Sequence, residues 1–328
     1  MTDDPAVYTA HDPADLIGVL PTLFGFSPAD SLVGVATHGP RSRFGFRLRI
    51  DMPEPHEVDA AAELVATHLR RQAPDGVVLV AITPHQVTAA VLLGAVRSRL
   101  VDLPLVAAVR ADGQRYWTPD EGCPPEGVPY TSSAHPAVVR AVVEGMEILP
   151  DRAALVSRFA PPSGPFLARM ERATDRVLDG LTPGLAAAAG ADLAIVGMQA
   201  VGPVLDRALG DGRELDEDDL ALLAVWVSAV AVRDAVWGLI DRGNARDMLR
   251  VWSQVARAAV PPFEPAVLCL AAFAAWLSGD GAQALIAAER ALTVDPDHSM
   301  ARLLLDLLEA GLAPSLWSSG DAGGAFRT

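Results

Sequence analysis

The chain has 328 residues, 51% of them hydrophobic and 20% charged, with a formal net charge of −15. That length and composition predict about two globular domains, each with its own core, and exclude a disordered chain. All 26 basic residues are arginine, which excludes a Schiff-base lysine, a lysine general base and a P-loop, and so acidic a chain is a poor partner for nucleic acid.

Asp12-Pro13 supplies an N-cap and a first helical residue, and Leu16, Ile17, Leu20, Leu23 and Phe24 form an apolar stripe behind it. Pro21 is expected to bend or shorten this helix, and Gly25 to end it. Ser31–Thr37 reads as a buried strand. The turn His38-Gly39-Pro40 leads into the alternating strand Arg43–Ile50, so the two are expected to form a hairpin. Glu57–Arg71 reads as a helix with Leu64, Val65 and Leu69 inward. Gly76–Thr83 is almost wholly apolar, as in a strand covered on both faces. Thr83-Pro84-His85-Gln86 fits an N-cap, a proline at the first helical position and a glutamine at the third, opening a helix to about Leu100. Leu105–Arg110 and Gln114–Trp117 read as strands joined by a turn at Asp112-Gly113. The alternation predicts an α/β N-terminal domain with a mixed sheet.

Thr118–Pro136 is rich in Pro, Gly and Ser and reads as loop. Beyond it no segment reads as strand, and the segments from Ala137–Ile148 through Asp216–Asp241 to Ser299–Ala310 read as helices. Within them Gly279–His298, GDGAQALIAAERALTVDPDH, resembles the second helix of a tetratricopeptide repeat. Its turn is Gly279-Asp280, its small packing positions are Ala284 and Ala291, and Asp295-Pro296 stops it. The expected organisation is an α/β domain over residues 1–134 and an all-α helical domain over 135–317. The tetratricopeptide-like hairpin falls near 263–311, and a disordered tail covers 318–328. Cys123 and Cys269 are the only cysteines, which fits a reducing compartment. The opening residues lack a signal-peptide pattern, and the longest apolar run, Leu220–Val232, is too short for a bilayer. The expectation is a cytoplasmic protein without a membrane partner.

Three places could carry chemistry. Arg43, Arg47 and Arg49 fall on one face of an alternating strand, with Phe44, Phe46, Leu48 and Ile50 on the other. Such a row either binds a small anionic ligand, phosphate or carboxylate, or lies solvated and paired with acids such as Glu57, Asp59 or Glu63. Thr83 and His85 stand where a central strand ends and a helix begins. Anions bind at such ends, though Thr83 also serves as a plain helix cap. Cys123 and Glu126 occupy a stiff Cys-Pro-Pro-Glu-Gly loop, read either as structural or as a thiol site with His135 as base. No ligand pattern for a metal occurs: Cys-x-x-Cys is absent, and the acidic run Asp211–Asp219 lacks the order of a calcium loop. No motif points to a cofactor.

Several segments occur together in a telling order: PADLIGVLPTLFGFSPADSLVGVA, the strand FRLRID, the loop GCPPEGVPY, the helix start DRAALVSRF and the repeat-like end. In that order the chain resembles the domain-of-unknown-function family 4192 of high-GC Gram-positive bacteria, over nearly its whole length. The resemblance implies an architecture and no activity. Members of that family often carry further cysteines ahead of the one matching Cys123, and Tyr116–Gly122 here has none. The functional expectation is a binding or interaction module, with a protein partner at the helical domain. The alternative is an enzyme or sensor for a small phosphorylated or carboxylated metabolite at the α/β domain.

Overall fold

The computed structural model describes residues 10–132, 134–187, 192–210 and 214–317. The tail expected to be disordered, and residues 211–213 of the acidic run, lie outside them. The chain forms two compact units, Met1–Arg152 and Ala153–Thr328.

Helix α1, Pro13–Phe24, begins where the sequence places it: the Asp12 carboxylate accepts the Asp15 N–H at 2.8 Å. Pro21 does not stop it, and Gly25 ends it in the left-handed region (φ 72), its N–H reaching the Pro21 carbonyl. There follow β1 (Ser31–His38), β2 (Arg43–Asp51), α2 (Val58–Arg71), β3 (Gly76–Ile82), α3 (Gln86–Arg99), β4 (Leu105–Ala111), β5 (Arg115–Trp117) and β6 (Val128–Pro129). The strands form one mixed sheet in the order β2-β1-β3-β4-β5-β6. Only β3 and β4 run parallel, joined through α3; every other neighbouring pair is antiparallel. Strand β6 lies inside the segment read as loop.

One sheet face carries Leu32, Leu79 and Ala81 and is covered by Val65 and Leu69 of α2 and Leu92 and Val96 of α3. Leu64, expected inward, is 48% exposed, because the inward stripe of α2 runs through Ala62, Val65 and Leu69. The opposite face carries the buried Val33, Val35, Val80 and Val109 and is the side of α1, which meets β4. Helix α4, Pro136–Val143, packs on α1 through His135 and Gly18.

The β1–β2 hairpin forms as expected but with a β-bulge. Val35 pairs with Arg47, yet Thr37 pairs with Phe44. Two residues of β2, Gly45 and Phe46, therefore oppose Ala36, and the alternation of side chains slips by one there. Gly45 suits this position, since a Cβ on it would sit 2.7 Å from the His38 ring.

The second turn is displaced as well. Asp112 pairs with Arg115 (Asp112 N–H to Arg115 carbonyl, 3.0 Å), so the turn is Gly113-Gln114. Gly113 takes φ 97 at its first position, a conformation glycine adopts without strain. The shift puts Arg110 opposite Trp117 and Ala111 opposite Tyr116.

After α5 (Arg152–Ser157), the helical unit contains α6 (Gly164–Ala187), α7 (Leu193–Gly210), α8 (Glu217–Val227), α9 (Val230–Trp237), α10 (Ala245–Ala258), α11 (Glu264–Leu277), α12 (Gly281–Val294) and α13 (Ser299–Glu309). No strand occurs among its described residues. The single helix expected over Asp216–Asp241 is two, α8 and α9, bent by 105°. The break follows Val227, where the Ser228 hydroxyl donates back to the Val225 carbonyl at 2.6 Å. Helix α11 is buried along its whole length, enclosed by α8, α9, α10, α12 and α13. With α12 it forms a helical hairpin whose turn is capped by the Asp280 carboxylate, accepting the Gln283 N–H at 3.0 Å. Trp237, Phe273 and Trp317 stack at its side, with centroids 5.1–5.9 Å apart. Among the described residues no single helix is long and apolar enough to cross a membrane.

Candidate functional site

The arginine row does not exist as the sequence suggests. Arg47 and Arg49 pair with Val35 and Val33 and share their face, the α1 side. The bulge places Arg43 opposite His38, on the other face and exposed to solvent. The remaining two guanidiniums are already engaged. Arg47 Nε donates to the Leu23 carbonyl at 2.8 Å, at the C-terminal end of α1 where a cation complements the helix dipole. Arg49 is 10% exposed, forms a 2.7 Å ion pair with Asp51 and reaches the Ala29 carbonyl at 3.3 Å. Its Nε is buried without a hydrogen-bond partner among the described residues, as is the Ser31 hydroxyl, a diagonal neighbour on the same face. Arg47 thus fastens the end of α1 to the sheet, and Arg49 the Gly25–Asp30 loop that follows it.

The loop is fastened a second time through Asp30, which takes a left-handed backbone (φ 46). The Thr83 hydroxyl donates to its carboxylate at 2.6 Å and accepts the His85 N–H at 3.2 Å. Thr83 is thus a buried connector three residues before the helix, where the sequence suggested its cap. The residue at the cap position of α3 is His85, with no side-chain hydrogen bond to the helix, and residues 84–87 are exposed. The first amides of α3 are open to solvent at the C-terminal end of the parallel β3–β4 pair, the usual ligand end of an open α/β sheet. Arg43, Arg47, Arg49, Thr83 and His85 therefore do not converge on one site. Arg47 and Arg49 lie on the α1 face, whereas α3 packs on the other.

Two residues outside that expectation stand closer to the start of α3. Arg110 pairs with Ala81 on one side and Trp117 on the other, which puts all three on the α3 face near the ends of β3 and β4. Its guanidinium lies 3.5 Å from the centroid of the Trp117 ring. Burial pulls the pKa of Arg110 below the usual arginine value, with Asp112 acting in the opposite direction. Among the described residues it has no ion-pair partner. The turn position was the signal that would have found this pair: a hairpin centred on Gly113-Gln114, instead of Asp112-Gly113, brings Arg110 and Trp117 together.

The Cys123 loop folds onto the other side of the same tryptophan. Trp117 Nε1–H donates to the Pro125 carbonyl at 2.9 Å, and a Cβ on Gly127 would lie 2.5 Å from the ring. Arg115 donates to the Gly127 carbonyl at 2.8 Å, and the Cys123 sulfur accepts the Thr118 N–H at 3.4 Å. Glu126 is exposed. His135 is committed elsewhere: it is 7% exposed, its Nδ1 accepts the Ala137 N–H at 3.3 Å, and its Nε2 meets Asp15 at 3.2 Å. The loop supports Trp117, and among the described residues the hydrogen-bond partners of its thiol are the Thr118 N–H and the Pro124 carbonyl. Cys269 is fully buried with its sulfur 3.4 Å from His298 Nδ1. Among the described residues no group of three or more His, Cys, Asp or Glu is placed to hold a metal ion.

No curated protein and no solved structure matches the chain. The family model that does match is described as Domain of unknown function (DUF4192) and spans residues 13–315, from the capped first helix to the segment after α13. That span takes in the sheet, the loop on Trp117 and the helical hairpin, and the chain belongs to the DUF4192 family.

Proposed function

We propose that this chain is a binding or interaction module whose α/β unit takes a small phosphorylated or carboxylated molecule at the start of α3. One observation carries the reading. Arg110 is partly desolvated, lies over the Trp117 ring without an ion-pair partner among the described residues, and stands at the sheet end where α3 begins without a side-chain cap. A cation drawn out of water with no carboxylate beside it favours an anion placed against it, and free amides at a helix start add to that attraction. His85, exposed at the same helix start, is a further donor or acceptor for such a molecule. A cytoplasmic sensor or enzyme for an anionic metabolite would use this element in the same way. The tetratricopeptide-like pattern of α12 supports a protein partner at the helical unit. Because α11 is enclosed, that partner would meet the outer surfaces of α10, α12 and α13.

Thermal unfolding with inorganic phosphate, pyrophosphate and citrate tests the ligand reading. An anion at a hundred times its Kd adds about 2.7 kcal/mol of stability, which at about 2–4 °C per kcal/mol raises Tm by roughly 5–10 °C. Arg110→Gln should remove that shift. An equal shift in the variant, or none with any of the three anions, rejects the reading.

A further inference from the structure

At the opposite end of α3, beneath its last two turns, the α/β unit holds a cavity of about 460 Å³, within the range of small-molecule pockets. Its accessible apolar lining is Leu103 and Val101 of the connection between α3 and β4 and Leu105 of β4, with the buried Val77, Leu79 and Leu100 behind them. Val101 at its edge is 83% exposed and Leu105 is 36% exposed, so apolar surface is left open there. Two polar side chains stand among the lining, Arg97 and Ser98. The Ser98 hydroxyl donates to the Ala95 carbonyl at 2.8 Å, which leaves its oxygen as an acceptor.

Arg97 differs from the other arginines around it. Arg99 is held by Asp59 at 3.0 Å and Glu63 at 3.1 Å, and Arg70 by Asp102. The Arg97 side chain has no hydrogen-bond or ion-pair partner among the described residues. Gly94 also lines the cavity, and a Cβ built on it would meet nothing within 4 Å. A glycine inside a helix lowers its stability by roughly 1 kcal/mol relative to alanine. Here that cost coincides with an opening that any side chain would narrow.

We infer that this cavity binds an aliphatic monocarboxylate, with the hydrocarbon on Val101, Leu103 and Leu105 and the carboxylate held by Arg97. An apolar floor with a single unpaired cation in its lining selects that chemistry over a neutral hydrocarbon, which would leave the guanidinium unused. It also selects against inorganic phosphate, which would leave the floor wet. The site is separate from the start of α3, and neither Arg110 nor His85 takes part in it.

Calorimetric titration of the full chain with octanoate, 1-octanol and inorganic phosphate is the test. Saturable octanoate binding, about tenfold or more tighter than 1-octanol, is expected, and prior saturation with inorganic phosphate, which the start of α3 would take up, should leave it unchanged. Arg97→Gln, an exposed substitution, should erase the preference for octanoate over octanol. Gly94→Leu should abolish octanoate binding while Tm stays at or above that of the unmodified protein, since the new side chain enters open space and favours helix. Absence of saturable octanoate binding overturns the inference. So does unchanged affinity in Arg97→Gln, or full binding by Gly94→Leu.

Discussion

The buried thiol of the helical unit makes stability depend on alkaline pH in a way that a single substitution can isolate. Cys269 is fully buried on α11, and its removal from water pushes its pKa up from 9.0 to about 12. The folded chain therefore keeps the thiol protonated over a range in which the unfolded chain ionises it. Stability from this group is whole below about pH 9 and is lost as pH rises towards 12. At pH 10 the unfolded thiol is one unit past its midpoint and the folded one two units short of it, a loss of about 1.4 kcal/mol; at pH 8 the loss is below about 0.1 kcal/mol. Other groups also titrate at high pH, so the quantity to measure is a difference. Urea unfolding of the parent and of Cys269→Ala, followed from pH 7.5 to 10.5, should give a gap that is flat up to about pH 8.5. Between pH 9 and 10 it should move in favour of Cys269→Ala by about 1 kcal/mol, steepening slightly above that. A gap independent of pH would refute the reasoning, because it would mean that the native state ionises this thiol as readily as the unfolded chain does.

Two further outcomes follow from packing and from the engaged arginines. Gly18→Ala places a methyl group 2.4 Å from the His135 ring, which is itself held by Asp15 and Ala137, so overpacking of about 1–3 kcal/mol exceeds the roughly 1 kcal/mol gain in helix propensity. Chemical denaturation should find a net loss of up to about 2 kcal/mol, and a variant more stable than the parent would contradict the close approach of α1 and α4. Arg49→Met gives up the Asp51 and Ala29 contacts but also removes the orphaned Nε, and it strands no buried charge because Asp51 is 74% exposed. It should cost about 1 kcal/mol and leave the response to phosphate unchanged; a lost phosphate response would restore the arginine strand as a ligand site.

What could be read directly from the residues was local. The start and stop of α1 depend on Asp12, Pro13 and Gly25 acting on their own neighbours, and the hairpin depends on a turn between two alternating runs. Helix α10, Ala245–Ala258, is legible in the same local way because one wide apolar stripe runs its whole length. Details that hang on a distant partner were not legible. Alternation in β2 placed three arginines together, but the bulge depends on how Gly45 and Phe46 settle against Ala36 and His38. The Asp112-Gly113 dipeptide is a strong turn signal, yet the Asp112 carboxylate binds the amides of Gln114 and Arg115 and moves the turn on by one residue. Thr83 reads as a cap from its neighbours alone; its hydroxyl is drawn to Asp30, fifty-three residues earlier in the chain. The α8–α9 bend is invisible in an apolar run in which every residue also suits a continuous helix.

The bulge in β2 also bears on how the molecule behaves at high concentration. A nine-residue strand at the margin of a sheet is a template on which another copy's backbone could zip, and such zipping is a common route to fibres. The register slip at Gly45-Phe46 interrupts the straight row of amides and carbonyls, and the guanidinium of Arg43 is thrown to the opposite side of the ribbon from Arg47 and Arg49. An incoming strand would meet a kinked backbone with positive charge on both sides. The irregularity that dissolves the expected arginine row thus leaves the sheet with a margin that resists self-templating.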